Sequence, residues 1–284
     1  MKKVLITGSG GFIGGNLKNF LKGKYELLTP RSSELDLRDE NAVREYFKVN
    51  DIDFIIHAAT VGGERGVQDK PETVKENISM VENLLENKKQ HTRMILFGSG
   101  AMYGRFRDLK KVKEEEIGKH IPTELYGKSK MLIAQKIKER DDVLCLNIFG
   151  CYGLGEKPSR FPSCAINRNL NRETIEINQN VVFDYLFIDD LMKIIGFFIE
   201  NKPKNNILNA APDKSISLKE ISELVNQISD FKSEIIIKND KMNFEYTGDN
   251  SLLRSEIPNL EFTPYSEGLK KFYFQLKNFK SSEG

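Results

Sequence analysis

No stretch of this sequence offers the ~18 consecutive apolar residues of a membrane span, so no helical anchor is expected. Cysteine is scarce: Cys145, Cys151 and Cys164 are odd in number and lack metal-ligand spacing. That argues against a disulfide framework and a thiolate metal site, and favours reduced packing thiols in a cytoplasmic protein. Neither sign of charge dominates. The 43 Lys and Arg stand against 41 Asp and Glu, for a net charge of +2. The lysines are dispersed among glutamates and read as solvated helix faces, so no nucleic-acid partner is expected. There is no internal repeat, low-complexity linker or Pro-rich hinge. The first strand starts almost at Met1, which leaves no room for a signal peptide. Histidine is limited to His57, closing a strand, His91, before a strand, and His120, in a loop; all three read as structural.

The length of 284 residues suits one large α/β domain with a small appendage. Apolar Val4-Leu5-Ile6-Thr7 runs into Gly8-Ser9-Gly10-Gly11-Phe12-Ile13-Gly14, and Leu17, Phe20 and Leu21 continue a helical period. A glycine turn between a strand and a helix is a dinucleotide-binding signature. Gly8 lets the backbone turn, Gly11 admits a pyrophosphate and Gly14 lets the helix pack on the strand, while the helix N-terminus faces the anion. Strands are expected near 4–7, 25–29, 53–57, 93–98 and 143–148. Helices are expected near 12–22, 40–49, 71–90 and 123–140. This alternation predicts an α/β fold with a Rossmann-like, doubly wound parallel sheet. Beyond Gly150 the pattern breaks into short strands near 174–177 and 181–187 and helices near 161–171 and 217–229. Ser217 and Glu220 have capping-box spacing. The division expected is a dinucleotide-binding domain over 1–160, with chain returning to it near 181–210, and a small C-terminal α/β substrate lobe over 161–284. The tail after Phe279 is expected to fray.

Further along, Tyr126-Gly127-Lys128-Ser129-Lys130 puts a phenol and an ammonium four residues apart on one helix face. Ser99 closes the strand Arg93–Phe97 at the edge where open α/β sheets place their sites. A phenol hardly ionises at neutral pH, and a nearby ammonium favours its anion. Tyr126 therefore reads as a general acid or base, Lys130 as its partner and Ser99 as a hydroxyl that holds a carbonyl oxygen.

These residues are similar to those of the extended short-chain dehydrogenases/reductases, in particular the NAD-dependent epimerase/dehydratase family that acts on nucleotide sugars. The likeness runs nearly end to end. It includes Thr7-Gly8-x-x-Gly11-x-x-Gly14, His57-Ala58-Ala59, Asn77, Ser99, Tyr126, Lys130, Tyr152-Gly153, Asp184 to Asp190 and Asn209-Ala210-Ala211. Two stretches, Arg31 to Asp39 and Ala58 to Gly63, resemble the GDP-L-fucose synthase branch of 4-keto-sugar reductases. The resemblance implies a cofactor site made of Gly8, Ser9, Gly10, Gly11, Phe12, Ile13 and Gly14. Asp36 and Leu37 would border the adenine, with His57, Ala58, Ala59, Thr60, Asn77, Tyr126 and Lys130 along the rest. Val61, Gly62, Gly63, Ser99, Gly100 and Ala101 would face substrate. A homodimer through the helices near 71–90 and 123–140 is also implied, with Met80, Leu84, Met131 and Ile133 as contacts or as core.

Departures from the family pattern narrow the expectation. No carboxylate ends the second strand, and Arg31 stands there. That favours NADP, with NAD the alternative and a solvated Arg31 the plainer reading. Gly100 and Ala101 replace the acid pair of dehydratases. Ala101 and Ser159 occupy the positions of an epimerising cysteine and histidine. Phe183 replaces an arginine that grips phosphates, leaving Arg160, Arg168 and Arg172 as candidate cations or as solvated helix charges. The expected activity is reduction of the C4 keto group of a nucleotide-linked sugar without epimerisation at C3 or C5. A 4-epimerase holding NAD and a non-catalytic dinucleotide sensor are the alternatives; the sensor is disfavoured because Tyr126 and Lys130 are both present.

Overall fold

The computed structural model describes residues 1–64 and 66–283. Six parallel strands form the central sheet: β1 Lys3–Thr7, β2 Glu26–Leu28, β3 Phe54–His57, β4 Arg93–Ser99, β5 Val143–Ile148 and β6 Ile207–Asn209. Their spatial order is β2-β1-β3-β4-β5-β6. The chain leaves β1 towards β2 on one side and returns to β3 on the other. The order therefore reverses between β1 and β3, where a crevice opens at the strands' C-terminal ends.

Alternation along each strand builds two cores. Val4, Ile6, Ile56, Ile95 and Leu146 face one side. There they meet α1 (Phe12–Leu21) through Leu17 and Leu21, and α6 (Ile188–Glu200) through Leu191, Ile195 and Phe198. Leu5, Ile55, Met94, Leu96 and Cys145 face the other. Val43 and Phe47 of α2 (Glu40–Val49), Met80 and Leu84 of α3 (Thr73–Asn87), and Ile133 of α4 (Leu125–Ile137) cover them. Met80, Leu84, Met131 and Ile133 are thus core residues, at most 6% exposed, and cannot supply a dimer face. All three cysteines are free thiols. Among the described residues no helix is long and apolar enough to cross a membrane.

Beyond β5 the chain adds α5 (Phe161–Leu170) and α7 (Leu218–Ile228), whose Ser217–Glu220 capping box is present. A four-stranded sheet orders Ile216–Ser217, Val182–Phe183, Tyr246–Gly248 and Leu109–Val112. Its last strand comes from the first half of the chain, so the two halves interleave. The segment 181–187 is not one strand. It divides at Asp184, whose buried carboxylate accepts bonds from Ser215 Oγ at 2.6 Å and the Gly248 N–H at 2.9 Å. The C-terminal helix Tyr265–Glu283 continues past Phe279, where fraying was expected.

Candidate active site

The glycine turn follows directly from β1. Gly8 has φ of +69°, and a Cβ there would lie 2.5 Å from the Ala59 nitrogen. Only glycine allows this turn to press on the Ala58–Ala59 backbone. A Cβ at Gly14 would lie 2.1 Å from the Gly8 carbonyl oxygen, so Gly14 packs α1 on the turn itself. At Gly11, the N-cap of α1, an added Cβ would meet only the Gly8 oxygen at 3.4 Å, and at Gly10 nothing within 4 Å. No side chain caps α1, so the first-turn N–H groups around Phe12, Ile13 and Gly14 are left for an anion. Ser9 Oγ donates to the Thr29 carbonyl at 3.5 Å, tying the turn to the end of β2. Arg31 is exposed there. This cradle fits a dinucleotide.

Nearby residues refine the expectations. Asp36 is held by Arg38, with Nε to Oδ1 at 2.9 Å, and these bonds push its pKa down. Leu37 is a core side chain, so it offers the crevice only backbone. His57 is buried, with Nδ1 2.8 Å from Thr7 Oγ1; burial, then the Lys130 charge, pushes its pKa down to about 3. Asn77, expected along the cofactor, acts as a clamp on the loop after β3. Its Oδ1 accepts the Val61 N–H at 2.8 Å and the Thr60 hydroxyl at 3.4 Å. Its Nδ2 donates to the Val61 carbonyl at 2.9 Å and Ser129 Oγ at 3.1 Å. The amide's capacity is filled inside the protein.

Ser99 ends β4 and caps the following 3₁₀ turn, its Oγ accepting the Ala101 N–H at 3.2 Å. The hydroxyl proton therefore points elsewhere and can be donated. Gly127 brings this turn to α4, since a Cβ there would lie 2.7 Å from the Ala101 carbonyl oxygen. Lys130 is 7% exposed; its Nζ donates to the Phe97 carbonyl at 2.8 Å and lies 5.5 Å from the centre of the Tyr126 ring. Ser99, Tyr126 and Lys130 thus sit on elements packed directly together. Gly100 and Ala101, expected to face substrate, are closely packed. A Cβ at Gly100 would lie 2.5 Å from Phe149 and 2.6 Å from the Tyr246 hydroxyl, and Ala101 is 1% exposed.

A cleft of about 700 Å³ adjoins this group, lined by Gly63, Asp69, Leu125, Phe183 and Tyr246 among others. Among the described residues its cations are Arg105 and Arg107, which sequence reasoning did not single out. Arg105 Nε donates to Glu124 at 2.8 Å, and Arg107 pairs with Glu116 at 3.2 Å. The Arg107 Nε–H is buried without a partner among the described residues. Arg160 reaches the Gly63 carbonyl at 3.4 Å. The Arg168 guanidinium donates to the Thr174 carbonyl at 2.9 Å, bracing the end of α5. Arg172 lies over Phe231. Phe183 stacks on Tyr185 and lies tilted against Tyr246, with ring centres 5.1 Å from each. Among the described residues no cluster of His, Cys, Asp and Glu has the geometry to hold a metal ion.

Residues 4–211 match the model of the NAD dependent epimerase/dehydratase family. The chain is similar to a GDP-L-colitose synthase of Yersinia pseudotuberculosis, 39% identical over 106 residues, which is 36% of this chain and 34% of that one. It is similar to a GDP-L-fucose synthase of Dictyostelium discoideum at 24% identity over 300 aligned positions, covering 95% of this chain and 93% of that one. In fold it is similar to the NADP-bound GDP-mannoheptose C4 reductase of Campylobacter jejuni, with a TM-score of 0.83 at 20% identity, covering 97% and 98% of the two chains.

Proposed function

This chain belongs to the NAD-dependent epimerase/dehydratase family, and from that membership we propose that it reduces the C4 keto group of a nucleotide-linked sugar, using NADPH. The observation that carries this reading is the packing of Ser99, Tyr126 and Lys130 beside an open cleft. When bound, NADPH supplies the hydride. The chain supplies the rest. Ser99 donates a hydrogen bond from its hydroxyl to the carbonyl oxygen and steadies the negative charge that develops there. Tyr126 gives O4 its proton, so a ketone becomes an alcohol and the phenol becomes a phenolate that solvent reprotonates. Lys130, buried one turn away, stabilises that phenolate. Gly8 to Gly14 hold the cofactor's pyrophosphate, and Arg31 meets the phosphate that distinguishes NADP from NAD. Arg105, Arg107 and Arg160 are the cations for the sugar nucleotide's diphosphate, with the C-terminal lobe covering it.

Reduction fits better than epimerisation because Ala101 and Ser159 present neither acid nor base for a carbon-bound proton. The similarity to GDP-sugar synthases and a C4 reductase supports a GDP-linked substrate. The test is to incubate the protein with NADPH and a panel of nucleotide 4-keto sugars, GDP-linked first, and follow cofactor absorbance. Keto-sugar-dependent oxidation of NADPH is expected. NADPH should also bind more tightly than NADH, by about 10- to 100-fold, and the gap should narrow in Arg31→Ala. No oxidation, with NAD released on denaturation and interconversion of C4 epimers, would overturn the reading in favour of an epimerase.

A further inference from the structure

We infer that Asp69 is a positioning residue for Tyr126, fixing the phenol by tying the Tyr126 backbone to the loop that lies on its ring; this rests on the reaction proposed above. Asp69 lies in the loop before α3, far from Tyr126 in sequence, and lines the cleft. Its Oδ2 accepts the Tyr126 N–H at 2.7 Å. Its Oδ1 accepts the Gly63 N–H at 2.9 Å. One carboxylate therefore ties the start of α4 to the loop that covers the ring.

Both ends of this tie have a reason to exist. The first N–H groups of a helix lack partners inside the helix. The N-cap residue of α4 is Glu124, which makes no capping bond and is held by Arg105 instead. Asp69 supplies the missing acceptor from another loop, and its charge suits the helix N-terminus. On the other side, Gly62 and Gly63 have φ of +80° and +76°. A Cβ at Gly62 would lie 2.5 Å from Asp69 Oδ1, and a Cβ at Gly63 would lie 2.9 Å from three carbons of the Tyr126 ring. The paired glycines leave room for the carboxylate and then let the backbone lie on the ring. Arg160 anchors the same loop through the Gly63 carbonyl.

The test compares Asp69→Asn with the wild type. Asparagine keeps the shape but turns an NH₂ towards one of the two N–H donors. A fall in kcat of about 10²-fold is expected, as for a reacting group displaced by about an ångström. NADPH affinity should change by less than about threefold, because Asp69 makes no part of the glycine cradle. In a Tyr126→Phe background the substitution should lower the residual rate by less than about threefold, since its effect passes through the phenol. A kcat within a few-fold of wild type, or losses that multiply fully in the double variant, would overturn the inference. Should Asp69→Asn not fold, Gly63→Ala takes its place: it keeps the carboxylate, drives a methyl group at the ring, and carries the same expectations. A wild-type protein inert towards every keto sugar contradicts the proposed reaction instead. Amide hydrogen exchange across residues 125–130 then decides, since Asp69→Asn should speed it and an unchanged rate would overturn the tie.

Discussion

The proposed reduction needs one proton at O4, and in that proposal the Tyr126 hydroxyl gives it. Tyr126→Phe should lower turnover by about 10²-fold or more while cofactor binding persists. Steady-state kinetics beside a cofactor titration check this, and turnover within a few-fold of wild type would contradict it. His57 makes a different contribution. Burial holds its imidazole neutral, with a pKa of about 3 against 6.5 for the free group. In the window between these values the unfolded chain binds the proton and the folded chain does not. Stability from His57 is therefore full above about pH 6.5 and declines as pH falls towards 3, by up to about 1.4 kcal/mol per pH unit. Urea unfolding between pH 7 and 4.5 should show a shallower acid slope for His57→Gln than for wild type; equal slopes would contradict the buried, neutral histidine. At this scale the sequence makes Ser99, Tyr126 and Lys130 legible, because strand-end position and helical spacing are local signals. Asp69 is not legible, since its partner is 57 residues away. The brace made by Arg168 is not legible for the related reason that its acceptor, the Thr174 carbonyl, is a backbone atom without a sequence mark.

Among the elements, α1 and its turn are the most tightly determined. Gly14→Ala should force α1 off the turn, because the new methyl group would meet a backbone carbonyl at 2.1 Å. A loss of about 1–3 kcal/mol is expected, with weaker NADPH binding. Gly15→Ala is the control. Its Cβ would sit 3.7 Å from the Ser9 oxygen, an ordinary contact, and the better helix propensity should stabilise the protein by up to about 1 kcal/mol. Thermal or urea unfolding without cofactor checks both; similar losses would contradict the packing described for Gly14. Periodicity makes α1 to α4 and the first five sheet strands legible, with boundaries shifted by a few residues at the ends of α3 and α4. The sixth, Ile207–Asn209, and the lobe's Ile216–Ser217 and Tyr246–Gly248 are two or three residues long. Such strands carry too few positions for a period of two to register, and tertiary pairing decides them. Helix α6 is not legible either, although its apolar face is strong, because it begins directly at the end of the strand Tyr185–Phe187.

The whole molecule places two sites on one edge of a sheet that is buried on both faces. The crevice between β1 and β3 offers the glycine turn, and β4 brings Ser99 to α4. The cleft beyond takes its other wall from Phe183 and Tyr246 in the interleaved sheet. That wall is where sequence reading stopped, because it forms only when Leu109–Val112 of the first half pairs with Tyr246–Gly248. Among the described residues the cleft's cations, Arg105 and Arg107, come from the loop after the Ser99 turn, so the proposed chemistry and the proposed grip on substrate would be built from adjoining segments. The central claim is reduction at C4 without proton exchange at C3 or C5. The direct measurement is to run the reaction in D₂O with unlabelled NADPH on a nucleotide 4-keto sugar, beside an enzyme-free control, and read the product by NMR. The account predicts protium delivered to C4 and no enzyme-dependent deuterium at C3 or C5, with both configurations retained. Enzyme-dependent deuterium at either carbon would contradict it and show that the cleft holds an acid–base pair that Ala101 and Ser159 do not provide.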